Sequence, residues 1–182
     1  MTKTIGVLVG SLREGSYNKL AAETFISLLP EGFEGKLIEI GDLPLYNEDL
    51  DVEGKVPEAW TRFRHELNAV DGVYFFTPEY NRSMPATIKN ALDVGSRPYG
   101  QSAWDGKPAL VVSVSVGAVS GFGANHHLRQ SLVFLNVPTL QQPEAYIGNV
   151  TNLLEDGAFK QDTKDFFQMI TDKYIEFFNR FA

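Results

Sequence analysis

Thr4-Ile5-Gly6-Val7-Leu8-Val9-Gly10-Ser11-Leu12-Arg13-Glu14-Gly15-Ser16-Tyr17-Asn18 is a run of strand formers that breaks into a small, hydroxyl-rich turn. Helical spacing follows over Asn18–Leu29. A strand that passes through such a turn into a helix can hold an anion. The turn presents backbone N–H groups, and the helix start adds its free N–H groups and the positive end of its dipole. Ser11, Ser16 and Asn18 contribute side-chain donors, and Arg13 contributes a planar fork that matches phosphate. A plain polar turn capped by Ser16 or Asn18 would explain part of this pattern. It would not explain Arg13, two serines and Asn18 standing so close together, so phosphate binding is the preferred reading.

Two commoner phosphate motifs are excluded by individual residues. Gly10 and Gly15 have the spacing of a P-loop, but Ser16-Tyr17 stands where Lys-Ser/Thr is required. The dinucleotide fingerprint fails because Leu12 occupies its second glycine position. A loop of hydroxyls with one arginine suits a terminal phosphate monoester.

The bulk composition is that of a globular protein. The chain has 182 residues, 43% hydrophobic and 21% charged, with a net charge of −7. One domain spanning 1–182 is expected. The acidic balance argues against nucleic acid and anionic membranes as partners. There is no cysteine, which removes disulfides, thiolate metal ligands and a cysteine nucleophile, and agrees with a cytoplasmic setting. The first apolar run is too short for a membrane span or a signal peptide.

Strand and helix patterns alternate along the chain. Strands are expected at Thr4–Val9, Lys36–Ile40, Gly72–Thr77, Ala109–Val116 and Pro138–Leu140. Helices are expected at Asn18–Leu29, Pro57–Ala69, Pro85–Val94, Ala124–Leu135 and Thr163–Phe181. The nearly continuous apolar strands at 72–77 and 109–116 fit a parallel sheet covered on both faces. Five βα units predict an α/β, flavodoxin-like fold, with a five-stranded parallel sheet in the order 2-1-3-4-5. Its switch point lies between strands 1 and 3, where the loops Gly10–Asn18 and Pro78–Met84 meet. The last helix carries an aromatic stripe from Phe166 to Phe181 that reads as core.

The second loop, Thr77-Pro78-Glu79-Tyr80-Asn81-Arg82-Ser83-Met84-Pro85, places an aromatic ring and backbone donors beside the first. Pro85 suits the first turn of the next helix, with Ser83 as a cap. Together the loops suit a flat heteroaromatic ring carrying a phosphate. Gly10-Ser11-Leu12-Arg13 with Ser16 and Asn18, Pro78-Glu79-Tyr80-Asn81-x-Ser83-x-Pro85 and Ile88-Lys89-Asn90-Ala91-x-Asp93 resemble the NADPH-dependent FMN reductase family. Within it the chain is most similar to bacterial quinone and chromate reductases, also studied as azoreductases. The likeness runs to about Gly148, through Gly106-Lys107-Pro108, Ser115-x-Gly117 and His127-Leu128-Arg129-Gln130.

The resemblance implies non-covalent FMN, NADPH or NADH as hydride donor, and a homodimer or dimer of dimers. It implies that Ser11, Arg13, Ser16, Tyr17 and Asn18 hold the FMN phosphate and ribityl end. Pro78, Glu79, Tyr80, Asn81 and Arg82 would border the isoalloxazine, and Ser115 and Gly117 would close the third side. The expected reaction is ping-pong hydride transfer to quinones, azo dyes, chromate or free flavin, with no catalytic side chain required. Two segments depart from relatives, Asp93-Val94-Gly95-Ser96 and the glycine-rich Gly117–Ala124, and both border the expected open face. The rival reading is an electron carrier of the flavodoxin kind, against which Arg13 and the Pro-Glu-Tyr-Asn loop count. His126 and His127 are adjacent on a helix and diverge, so no shared metal is expected. Lys89 and Asp93, four apart, are expected to pair. Arg82 is a candidate for attracting nucleotide phosphates or for a subunit contact.

Overall fold

In the computed structural model, which describes residues 1–181, apolar strands alternate with amphipathic helices along the chain. The order is β1 (Lys3–Val9), α1 (Tyr17–Ser27), β2 (Phe33–Leu37), α2 (Glu58–Asn68), β3 (Gly72–Thr77), α3 (Ala86–Gly95), β4 (Ala109–Val114), α4 (Phe122–Phe134) and β5 (Ala145–Ile147). A short antiparallel pair, β6 (Leu154–Glu155) and β7 (Ala158–Phe159), then precedes α5 (Gln161–Phe178). The main sheet has five parallel strands in the order β2-β1-β3-β4-β5, as the alternation predicts.

Side-chain alternation along the strands divides the interior in two. Leu8, Val73, Phe75, Ala109 and Val111 pack with Trp60, Phe63, Ile88, Leu92, Trp104 and Leu128 under α2, α3 and α4. Ile5, Val7, Tyr74, Phe76, Leu110 and Val112 pack with Phe25, Phe167, Ile170 and Tyr174 under α1 and α5. The α5 stripe is therefore largely core, as expected, although Phe166 and Phe181 at its margins are exposed.

Several boundaries differ from expectation. β2 lies earlier than Lys36–Ile40, because its ladder to β1 runs from Phe33 to Leu37. Ile38 and Ile40 follow it as buried core residues, and only the Ile38 N–H still reaches the Val7 carbonyl. The fifth strand is Ala145–Ile147, not Pro138–Leu140. The earlier segment does touch β4, but only at Ala109, which exchanges hydrogen bonds with Pro138 and Leu140. β4 stops at Val114 and α4 begins at Phe122, two residues before the expected start. Pro85 is the N-cap residue of α3, and Ser83 does not cap that helix.

Candidate functional site

The carboxyl ends of β1, β3 and β4 carry three loops on one rim of the sheet. β1 and β3 are neighbours there, with Val9 opposite Phe76. Beyond the ladder the Gly10 N–H still donates to the Phe76 carbonyl at 2.8 Å. Gly10 is glycine because α3 starts against it. A Cβ would stand 2.6 Å from Ile88 Cδ1 and 2.7 Å from Pro85 Cγ. The Thr87 hydroxyl donates to the Gly10 carbonyl at 3.2 Å, which fixes the first loop to the helix that follows the second.

The first loop leaves its donors open. Among the described residues, none of the backbone N–H groups from Ser11 to Asn18 donates to a backbone or side-chain acceptor. Ser16 is the N-cap of α1, its Oγ accepting from the Lys19 N–H at 3.3 Å. Ser11, Ser16 and Asn18 are buried. Asn18 Nδ2 donates to the Val114 carbonyl at the end of β4, while Asn18 Oδ1 is buried without a partner. Arg13 is exposed. Its Nη1 donates to the Glu14 carbonyl, and its guanidinium lies 5.0 Å from the centre of the Tyr17 ring. A helix start, open N–H groups and an exposed cation together form an anion nest. The orphaned amide oxygen of Asn18 gives a bound hydroxyl somewhere to donate. The residues present thus fit the phosphate and polyol end of a mononucleotide.

A cavity of about 740 Å³ opens from Ser11–Gly15 towards Leu37–Asp42, so the end of β2 forms a wall that the sequence reading missed. Two acidic groups of this wall are already engaged. Asp42 is paired with Arg62, whose guanidinium holds its carboxyl below the usual range, and Glu39 accepts from the Gly41 N–H.

The second loop is closed on itself. Tyr80 and Ser83 exchange both backbone hydrogen bonds at 3.0 Å, and Asn81 and Arg82 between them have φ of 51° and 66°. This is a type I′ turn, which suits Asn at its first centre and Gly at its second. Tyr80, half exposed, stands at the rim. Pro78 is buried, and the Thr77 hydroxyl donates to its carbonyl. The Glu79 carboxylate reaches the start of α4. There Oε2 accepts from the Ala124 N–H at 3.2 Å and Oε1 accepts from Arg82 at 3.0 Å. The α4 N-cap, Gly121, has no side chain to offer, so Glu79 supplies the cap from another loop. One turn further along, Ser83 Oγ lies 2.9 Å from His127 Nδ1.

The third loop begins at Ser115, whose Oγ accepts from the Gly117 N–H at 3.1 Å. Ser113, which the sequence reading passed over, ties it back by donating to the Ser120 carbonyl at 2.7 Å. Ser120 and Gly121 both have positive φ, a turn signal legible in that dipeptide. His126 and His127 do diverge. His126 meets Tyr146, whose hydroxyl donates to Glu144 and is pushed up to about 12 by burial and by that carboxylate. No group of three or more metal-ligating side chains occurs among the described residues. Lys89 and Asp93 pair at 2.6 Å, as their spacing predicts.

Residues 3–152 match the family model described as NADPH-dependent FMN reductase. A quinone reductase of Pseudomonas putida is 56% identical over 172 residues, covering 94% of this chain and 92% of the relative. A 2-hydroxy-1,4-benzoquinone reductase of a Burkholderia species is 42% identical, covering 96% and 95%. Among solved structures, the flavoenzyme NAD(P)H:(acceptor) oxidoreductase FerB of Paracoccus denitrificans superposes with a TM-score of 0.89 at 37% identity, over 98% of each chain. With the loop geometry at the β1/β3 switch point, these likenesses show that the chain belongs to the NADPH-dependent FMN reductase family.

Proposed function

We propose that residues 1–182, as one domain, form an FMN-dependent NAD(P)H:quinone oxidoreductase. The observation that carries this reading is the run of open N–H groups from Ser11 to Asn18, set across the switch point from Tyr80. Ser11, Ser16, Asn18 and the adjoining N–H groups would bind the FMN phosphate and ribityl chain, with Arg13 closing over the phosphate and Tyr17 backing Arg13. Pro78, Tyr80 and Asn81 would wall the isoalloxazine, and Ser115 and Gly117 would bound it on the β4 side. Held by these residues, FMN would supply the two-electron chemistry that links NADPH or NADH to the acceptor.

The protein's part is position and water exclusion. The type I′ turn holds Tyr80 at the rim, and the Glu79 cap keeps that turn against α4. Tyr80 is half exposed, which supports a wide range of flat or small acceptors. Quinones come first, with azo dyes, chromate and free flavin within the range. The chain contains no helix long and apolar enough to cross a membrane among the described residues, and we place it in the cytoplasm.

A homodimer, or a dimer of dimers, accounts for the apolar face of α4. Val133 and Phe134 are 77% and 84% exposed, and Phe134 borders a cavity of about 590 Å³ between α3 and α4. Phe134→Asp then yields monomers in analytical ultracentrifugation.

The test of the function is the absorbance of FMN-loaded protein. Flavin bands that bleach with NADPH or NADH and return with a benzoquinone are expected. A chain that takes up no FMN refutes the reading. Bleaching by dithionite but not by NAD(P)H marks an electron carrier.

A further inference from the structure

Arg82 occupies a position that works against it. In the turn Tyr80-Asn81-Arg82-Ser83 it sits at φ 66°, in the left-handed region where a β-carbon crowds the backbone and glycine fits freely. Glycine would close the same turn without that cost, so the side chain has a use that offsets it. The chain also goes to some length to aim this guanidinium. Glu79, whose side chain is only 12% exposed, accepts from Arg82 Nη1 with one carboxylate oxygen and from the Ala124 N–H with the other. Gly123 keeps room for that contact, since a Cβ there would stand 3.0 Å from Glu79 Oε2 and 2.9 Å from the Arg82 carbonyl.

The result is a cation clamped at its inner edge and open at its outer one. Arg82 is 76% exposed, and Nη1 to Glu79 is the one hydrogen bond its guanidinium donates to the described residues. It stands two residues from Tyr80, on the rim over which a second ligand must pass to reach the flavin ring. Both nucleotides that supply the hydride carry phosphates, and a guanidinium fixed on one side offers its remaining donors to phosphate in a set direction.

We propose that Arg82 is the phosphate anchor of the incoming pyridine nucleotide, with Glu79 as its positioning residue. This rests on the flavin reading of the site. The anchored group is the pyrophosphate common to NADH and NADPH or the 2′-phosphate of NADPH alone.

The test is calorimetric titration of FMN-loaded protein with NADP+ and with NAD+, for the native chain, Arg82→Gly and Arg82→Lys. Glycine keeps the turn, so the variant folds and its melting temperature does not fall. The expected result is a loss of roughly tenfold in NADP+ affinity for Arg82→Gly, on the scale of a charge-assisted hydrogen bond, with partial recovery in Arg82→Lys. An equal loss for NAD+ assigns the pyrophosphate, and a loss confined to NADP+ assigns the 2′-phosphate. Raised salt should weaken NADP+ binding more in the native protein than in Arg82→Gly. Nucleotide affinity within twofold of native in Arg82→Gly overturns the proposal, as does a loss of FMN affinity as large as the loss for NADP+. If the native chain itself takes up no FMN, the flavin reading has failed, and Arg82 as a nucleotide anchor falls with it.

Discussion

The loops after β1 and β3 lie side by side, yet they treat their own backbones in opposite ways. Ser11–Asn18 leaves a row of N–H groups with no protein acceptor. Tyr80–Ser83 closes its turn with two mutual hydrogen bonds, while Glu79 and Ser83 hand a carboxylate and a hydroxyl to α4. Residues 12–15 of the first loop are exposed, so their N–H groups stand open to water or to the proposed ligand. The second loop is finished by the fold. In the proposed site, the phosphate end is thus the part expected to respond to occupancy, and the ring end is already formed.

Ligand binding sharpens that contrast most. Free FMN at a thousandfold excess over its dissociation constant raises unfolding free energy by about 4 kcal/mol, read as a shift in thermal midpoint. Hydrogen exchange should slow chiefly at 11–18, and equal slowing at 80–83 would break the comparison. Gly10 joins the two loops, so Gly10→Ala acts on both. With Ile88 and Pro85 inside contact distance, it costs about 3 kcal/mol in urea unfolding. Arg13→Ala weakens FMN by about 2 kcal/mol in a fluorescence titration and leaves the stability of the empty protein nearly unchanged. Ser16→Ala removes the α1 cap as well as a ligand donor and lowers stability by about 1 kcal/mol. The smallest effect belongs to Ser83→Ala. Removing its exposed contact with His127 costs about 0.5 kcal/mol in the same unfolding assay and leaves FMN affinity unchanged.

The β1–loop–α1 unit was legible in the sequence because every local signal agrees. Strand formers, a glycine, a capping serine and a helical period follow one another without conflict. The sheet order followed from the alternation of elements. The fifth strand was misplaced because Pro138-Thr139-Leu140 is as apolar as Ala145-Tyr146-Ile147. Only pairing with β4 separates the two segments, and pairing is not a local property. The role of Glu79 was hidden for a similar reason. Nothing beside Tyr80 in sequence announces that Glu79 also caps a helix beginning at Phe122. Ser113 and the wall at Leu37–Asp42 escaped notice because their relevance depends on which strand ends are neighbours.

Gly10 has a consequence for what the protein accepts. Pinned between Ile88 and Pro85, with Thr87 holding its carbonyl, it gives the rim no slack between the anion nest and Tyr80. The molecule therefore carries a ruler. On the proposed reading, a guest would be gauged by how far its charged tail lies from its flat head, and riboflavin, which lacks the charged tail, would leave half the scale unread.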